Sequence, residues 1–192
     1  SVRITLLLVI ATLGLALLAG IAFSTFYRLN IDIRALADDT LRSTHTILRI
    51  QALTAQSQAV SSRRIYWTNG HEEQDAQRAS LDAQTRKFFE QYQQTLVTDE
   101  QDGALMEASE QLFVQWSAAM SKSITAALEQ RLDDAILIED QEAKPLAQQL
   151  NSALDKWAGY SDQLGEGSRR SAFSAMADAR YKIVFASGAT IT

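Results

Sequence analysis

From Ile4 to Phe26 the chain runs through ITLLLVIATLGLALLAGIAFSTF without one charged residue, and no other feature limits the possible folds so tightly. At about 1.5 Å rise per residue, a helix over this run reaches about 35 Å, enough to cross a hydrocarbon core about 30 Å thick with some tilt. The run is too long for the apolar part of a secretory signal, and no convincing A-x-A-like cleavage site follows it. Apolar all round, it has no face to show water, so a membrane anchor is the expectation. At the other end, Ile183 to Thr192 (IVFASGATIT) is again uncharged and follows Arg180, Tyr181 and Lys182. An aromatic beside basic residues is favoured at a membrane boundary, and the segment reads as the start of a second crossing. The predicted division is a transmembrane helix over 1–27, a helical domain over 28–182, and the beginning of a second transmembrane helix over 183–192.

With one Pro and eight Gly in 192 residues, little is available for turns, so the middle domain is expected to be all-α, built from a few long helices. The formal charge is −5, and one unit more negative once Arg3 is set aside. No basic stripe is present, which argues against a nucleic-acid partner. The absence of Cys excludes disulfides and thiolate metal sites. His45 and His71 are far apart, and neither HExxH, G-x-S-x-G nor a phosphate-binding loop occurs. No enzymatic activity, metal or cofactor is therefore expected. His71-Glu72-Glu73 and the acidic pairs Asp38-Asp39 and Asp133-Asp134 read as helix starts, caps or solvated charge.

Taken in order, helical register continues from Tyr27 until Asn69-Gly70, a good C-terminal stop. Steps of three and four pick out Ala37, Leu41, Thr44, Leu48, Ala52, Ala55, Ala59, Ser62 and Tyr66 as a core stripe. A neighbouring stripe, Leu36, Thr40, Ser43, Ile47, Ile50, Thr54, Ser57, Ser61, Arg64 and Thr68, begins apolar and turns hydroxyl-rich. The second helix carries Phe88, Phe89, Tyr92 and Leu96. Asp99 or Thr98 caps a third, with Leu105, Leu112, Phe113, Trp116, Met120, Ile124 and Leu128 on its apolar side. A short helical piece through Ile138 leads to Pro145 in the first turn of a last helix bearing Leu146, Leu150, Leu154, Trp157 and Leu164. Gly165 and Gly167 read as close-packing or bending points within it. The expected fold is an antiparallel up-down-up-down four-helix bundle whose first and last helices are continuous with the transmembrane helices.

This layout resembles the amino-terminal sensor of bacterial methyl-accepting chemotaxis proteins of the four-helix-bundle type. The resemblance rests on the anchor Ile4 to Phe26, the first helix ending at RRIYWTNG (Arg63 to Gly70), RLDDAI before EAKPLAQQL (Glu142 to Leu150), and YKIVF (Tyr181 to Phe185). It covers essentially the whole chain and is architectural; the same module also fronts histidine kinases. It implies a homodimer in contact with lipid of the bacterial inner membrane, with a periplasmic ligand-binding domain and a cytoplasmic kinase and adaptor reached through a signalling domain beyond residue 192. In amino-acid-sensing members, several arginines of the first helix hold the ligand carboxylate across the dimer. Arg64 falls at a similar height, but Val60 and Ala55 stand where further arginines belong and Arg63 is out of register. That departure points away from an amino acid and leaves other small carboxylates.

Read without the resemblance, Arg64 shares a stripe with Thr54, Ser57 and Ser61, a guanidinium and three hydroxyls suited to a small organic acid. Pairing of Arg64 with Glu72 or Glu73 in a wet interface is the competing reading. Arg63 is expected at the surface or against the second helix, Tyr66 and Trp67 as aromatic caps or core, and Lys144 as added positive charge from the start of the fourth helix. Two function classes follow: a transmembrane receptor for a small organic acid, in which binding shifts the first and fourth helices, and a membrane-tethered helical domain that binds only another protein.

Overall fold

The computed structural model describes residues 41–66 and 71–188, together with Gly20, Phe23, Ser24 and Tyr27. The run Ile4 to Phe26 thus lies outside the described residues but for three positions, and so do Trp67 to Gly70, where the first helix is predicted to stop. Among the described residues the chain is all-helical, and no helix is long and apolar enough to cross a membrane. We number the helices α1 (41–66), α2 (His71–Thr95), α3 (Glu100–Leu128), α4 (Leu132–Ile138) and α5 (Lys144–Gly188). Two compact units are distinguished, Thr40–Gln163 and Ser1–Asp39 with Leu164–Thr192. In the second, Arg170 pairs with Glu166 one turn earlier on α5, and Gly167 sits inside that helix, so no glycine loop forms.

Within Thr40–Gln163 the side-chain bonds fix the helix directions. Arg64 reaches Asp75 while Ser57 reaches Asp82, so α1 and α2 run antiparallel. Arg78 meets Ser121 and Asp82 meets Ser117, which sets α2 against α3 in the same sense. Thr44 pairs with Ser161 and Gln51 with Asp155, which closes α5 onto α1. The expected up-down-up-down order follows. Its core gathers Ile47 and Ile50 of α1, Phe89 and Tyr92 of α2, Phe113, Trp116 and Met120 of α3, and Leu150, Leu154 and Trp157 of α5. Trp157 is stacked on Phe89 at 6.0 Å and edge-on to Tyr92 at 4.6 Å, contacts that add about 0.5–1.5 kcal/mol each to simple burial.

The buried face of α1 corrects the stripe predicted as core. Leu41, Leu48 and Tyr66 are exposed, and Ser43, Ile47, Ile50, Thr54, Ser57, Ser61 and Arg64 face inward. The hydroxyl-rich stripe is thus the interior one. A second small cluster joins Leu53 and Val60 of α1 to Leu81 and Phe88 of α2.

The helix starts obey local chemistry. Asp99 caps α3 by accepting the Asp102 amide at 2.8 Å, as its sequence position predicts. Between α3 and α4 the turn is made by Gln130 at φ 62°, a left-handed conformation uncommon for a residue with a side chain. Pro145 stands in the first turn of α5, as expected, and α5 follows α4 without an intervening loop. A π turn over Glu139–Ala143 joins α4 to α5, with the Lys144 amide donating to the Glu139 carbonyl. A prolyl ring lacks the N–H of an α-helical ladder and crowds the carbonyl four residues back, and the wider turn just before it accommodates both defects.

Candidate functional site

Antiparallel pairing of α1 with α2 produces two unlike halves. Toward the α2–α3 turn the facing residues are Ile47 with Tyr92 and Ile50 with Phe89; toward the α1–α2 connection they are polar. Helical steps from the two bonded pairs place Thr54 level with Thr85, Ser57 with Asp82, Ser61 with Arg78 and Arg64 with Asp75.

Arg64 is 3% exposed, and its Nε donates to Asp75 Oδ1 at 3.0 Å, with Nη2 at 3.5 Å from Oδ2. A buried guanidinium needs a counter-charge, and Asp75 supplies it rather than Glu72 or Glu73. Ser57 donates to Asp82 Oδ1 at 2.6 Å, and Ser117 of α3 donates to Oδ2 at 3.0 Å. Arg78 is held by the Ser117 carbonyl and the Ser121 hydroxyl, its Nε standing 3.8 Å from Asp82. Thr85 donates to the Leu81 carbonyl at 2.9 Å, whereas Thr54 Oγ1, Ser61 Oγ, Gln58 Nε2, Gln74 Oε1 and Arg78 Nε are buried without a hydrogen-bond partner among the described residues. Thr54 and Ser61 are fully buried. Each such atom costs about 1–3 kcal/mol if left unpaired, so this interface is suited to a polar guest.

The other predicted site residues are not gathered there. Arg63 is exposed on the opposite side of α1, and Trp67 lies outside the described residues. Tyr66 turns toward α4, donating to Glu139 Oε2 at 3.2 Å while Ser62 donates to Oε1 at 2.9 Å. Burial, and then the Glu139 carboxylate, raises the Tyr66 phenol above its ordinary value. Lys144 is exposed and bonded to Asp140, which raises its ammonium. Thr54, Ser57, Ser61 and Arg64 therefore form one seam, with Tyr66 and Lys144 in a separate group around the π turn.

Three acids that the sequence reading passed over organise the interior. Asp75 and Asp82 belong to the seam, and Asp102 sits at the opposite end. Asp102 is buried and accepts from the Tyr92 hydroxyl, the Trp157 indole N–H at 2.8 Å, and the amide and hydroxyl of Thr98. Burial, with the Asp102 carboxylate adding to it, pushes the Tyr92 phenol well above its ordinary range. The available signal for Asp102 was its place three residues after a capping Asp99. Nothing comparable marks Asp75 or Asp82, whose roles depend on helix register.

Comparison with known proteins agrees with the architecture. Residues 1–175 match the family model described as a four helix bundle sensory module for signal transduction. No curated protein and no solved structure matches the chain significantly. Helical throughout its described residues, with this antiparallel order, and matched over most of its length, the chain belongs to the family of four-helix-bundle sensory modules for signal transduction.

Proposed function

We propose that this sensory module is the periplasmic ligand-binding part of a chemotaxis receptor, anchored in the bacterial inner membrane and responding to a small carboxylate-bearing molecule. The observation that carries the ligand class is Arg64, a buried guanidinium beside the unpartnered Ser61 hydroxyl and the other hydroxyls of the seam. Bidentate donation to a carboxylate is the chemistry a guanidinium performs best. Binding shifts α1 relative to the other helices, and the displacement passes along α1 and α5 to the membrane crossings predicted at Ile4 to Phe26 and from Ile183. A ligand must prefer one arrangement to move that equilibrium. Output then runs through a following signalling domain to a cytoplasmic kinase and adaptor. Calorimetry of the chain with short carboxylates tests the reading: Arg64→Ala abolishes the heat of binding, and an unchanged isotherm removes Arg64 from the site.

The exposed side of α1 supports a homodimer. Leu41, Leu48 and Tyr66 are more than half exposed, with exposed Ala52, Ala55 and Ala59 between them, small residues that permit close helix approach. A sensor module of a histidine kinase or other membrane signalling protein is the alternative with the same ligand site and a different output. The same exposed stripe favours a second reading, a membrane-tethered module that pairs with another protein and takes no small molecule. Sedimentation of Leu48→Arg, together with a thermal-shift screen against organic acids, separates them. A blank screen with normal dimerisation supports the interaction module.

A further inference from the structure

We propose that Asp75 acts as an internal stand-in for the ligand carboxylate, and that a short organic acid enters between α1 and α2 of one protomer by displacing Asp75 from Arg64. This rests on the carboxylate reading above and adds to it the position of the site, the competitor and the helix that is released.

The two partners of the ion pair differ in environment. Arg64 is 3% exposed, whereas the Asp75 side chain is 47% exposed. The guanidinium cannot be left without an anion, but Asp75 can move into water at little cost in hydration. Its grip is also uneven, 3.0 Å at Nε and 3.5 Å at Nη2, and two of the five guanidinium N–H donors are engaged. A free carboxylate offers Arg64 the same two oxygens.

Around this pair lie groups that Asp75 does not satisfy. Ser61 stands one turn before Arg64, Gln74 is next to Asp75, and Arg78 is one turn after it; Ser61 Oγ, Gln74 Oε1 and Arg78 Nε have no hydrogen-bond partner among the described residues. They supply a hydroxyl, an acceptor and a donor within a turn of the ion pair. An acid with a hydroxyl beside its carboxylate matches this set better than a simple fatty acid does. Val60 and Leu81, next in the chain to Ser61 and Asp82, are buried together in one apolar cluster. Displacement of Asp75 also breaks the bond that ties the first turns of α2 to the end of α1, so uptake and helix release are one event.

Affinity in such a site is reduced by the fraction of molecules in which Asp75 occupies Arg64. Calorimetry of the 192-residue chain with lactate and propionate tests this. Asp75→Asn is expected to bind both about tenfold more tightly than the wild type, with lactate preferred, whereas Asp75→Glu, which keeps the charge, stays within about threefold of it. Arg64→Gln binds neither. Asp75→Asn should also melt earlier, and propionate should restore its melting temperature where chloride at equal ionic strength does not. Equal affinity in wild type and Asp75→Asn, lost in Arg64→Gln, overturns the displacement and leaves the carboxylate reading standing. An early melt without rescue gives Asp75 a structural role only and overturns the proposal. Binding that survives Arg64→Gln, or no binding by any variant, overturns both.

Discussion

The two ends of the Thr40–Gln163 bundle solve the problem of an interior carboxylate in opposite ways. Near the α2–α3 turn, Asp102 is surrounded by donors from α2, from Thr98 of the turn itself and from α5, among packed aromatics. Near the α1–α2 connection, Asp75 meets Arg64 across a seam with several unpaired atoms, Asp82 stands one turn from Arg78 on the same helix, and Asp75 is half in water. One end is saturated and the other is not. Saturated polar networks make a structure rigid and specific, and unsaturated ones are where a small change in partners alters the arrangement. A sensor needs both, a fixed base and an end with something left to bind.

Mutations at the two ends should differ accordingly. The largest effect belongs to the saturated end: Trp157→Ala removes a fully buried ring and an indole donor to Asp102, and should lower unfolding free energy by about 3–5 kcal/mol in denaturant titration. In the seam the sign itself depends on pairing. Ser57→Ala leaves Asp82 short of a donor and should cost about 1 kcal/mol, whereas Ser61→Ala deletes an unpartnered buried hydroxyl and should be neutral or stabilising. A similar loss at both serines would show that the seam is as well satisfied as the other end. The smallest effect concerns pH. The Asp102 amide and then the Tyr160 hydroxyl hold the exposed Asp99 carboxyl below its ordinary range. Its contribution is therefore present above the ordinary carboxylate value and is lost as pH falls through the lowered one. Asp99→Asn should flatten that acid limb of a stability-against-pH curve and leave the neutral region nearly unchanged.

Much of this arrangement can be read from residues alone, and the exceptions have a common cause. Helix number, the Asp99 cap and the apolar faces of α2 and α5, and of α3 as far as Ile124, follow from spacing and side-chain chemistry, while Leu128 at the end of the α3 stripe is exposed. On α1 two adjacent stripes compete, one rich in alanine with Leu41 and Leu48, the other holding Ile47 and Ile50 but then Thr54, Ser57 and Ser61. Periodicity identifies both stripes and does not say which faces inward, because hydroxyls are buried only when another helix brings partners such as Asp82. For the same reason the hydroxyl seam was visible and Asp75 was not. The pairing of Arg64 with Asp75 depends on how α2 returns along α1, a tertiary register that no local pattern encodes. Pro145 marks the first turn of α5 as its residue type suggests, and only the π turn that joins this helix to α4 without a break has no local signal.

That π turn has a mechanical consequence. A π turn takes in one more residue than an α turn, so it sets the angular phase of the side chains after it relative to those before. Were Glu139–Ala143 to relax into plain α-helix, α5 would roll by about 100° against α4, the angle of one residue. Ser62 and Tyr66 hold the buried carboxylate at the first position of this turn, so α1 is bonded to the very turn that sets that phase.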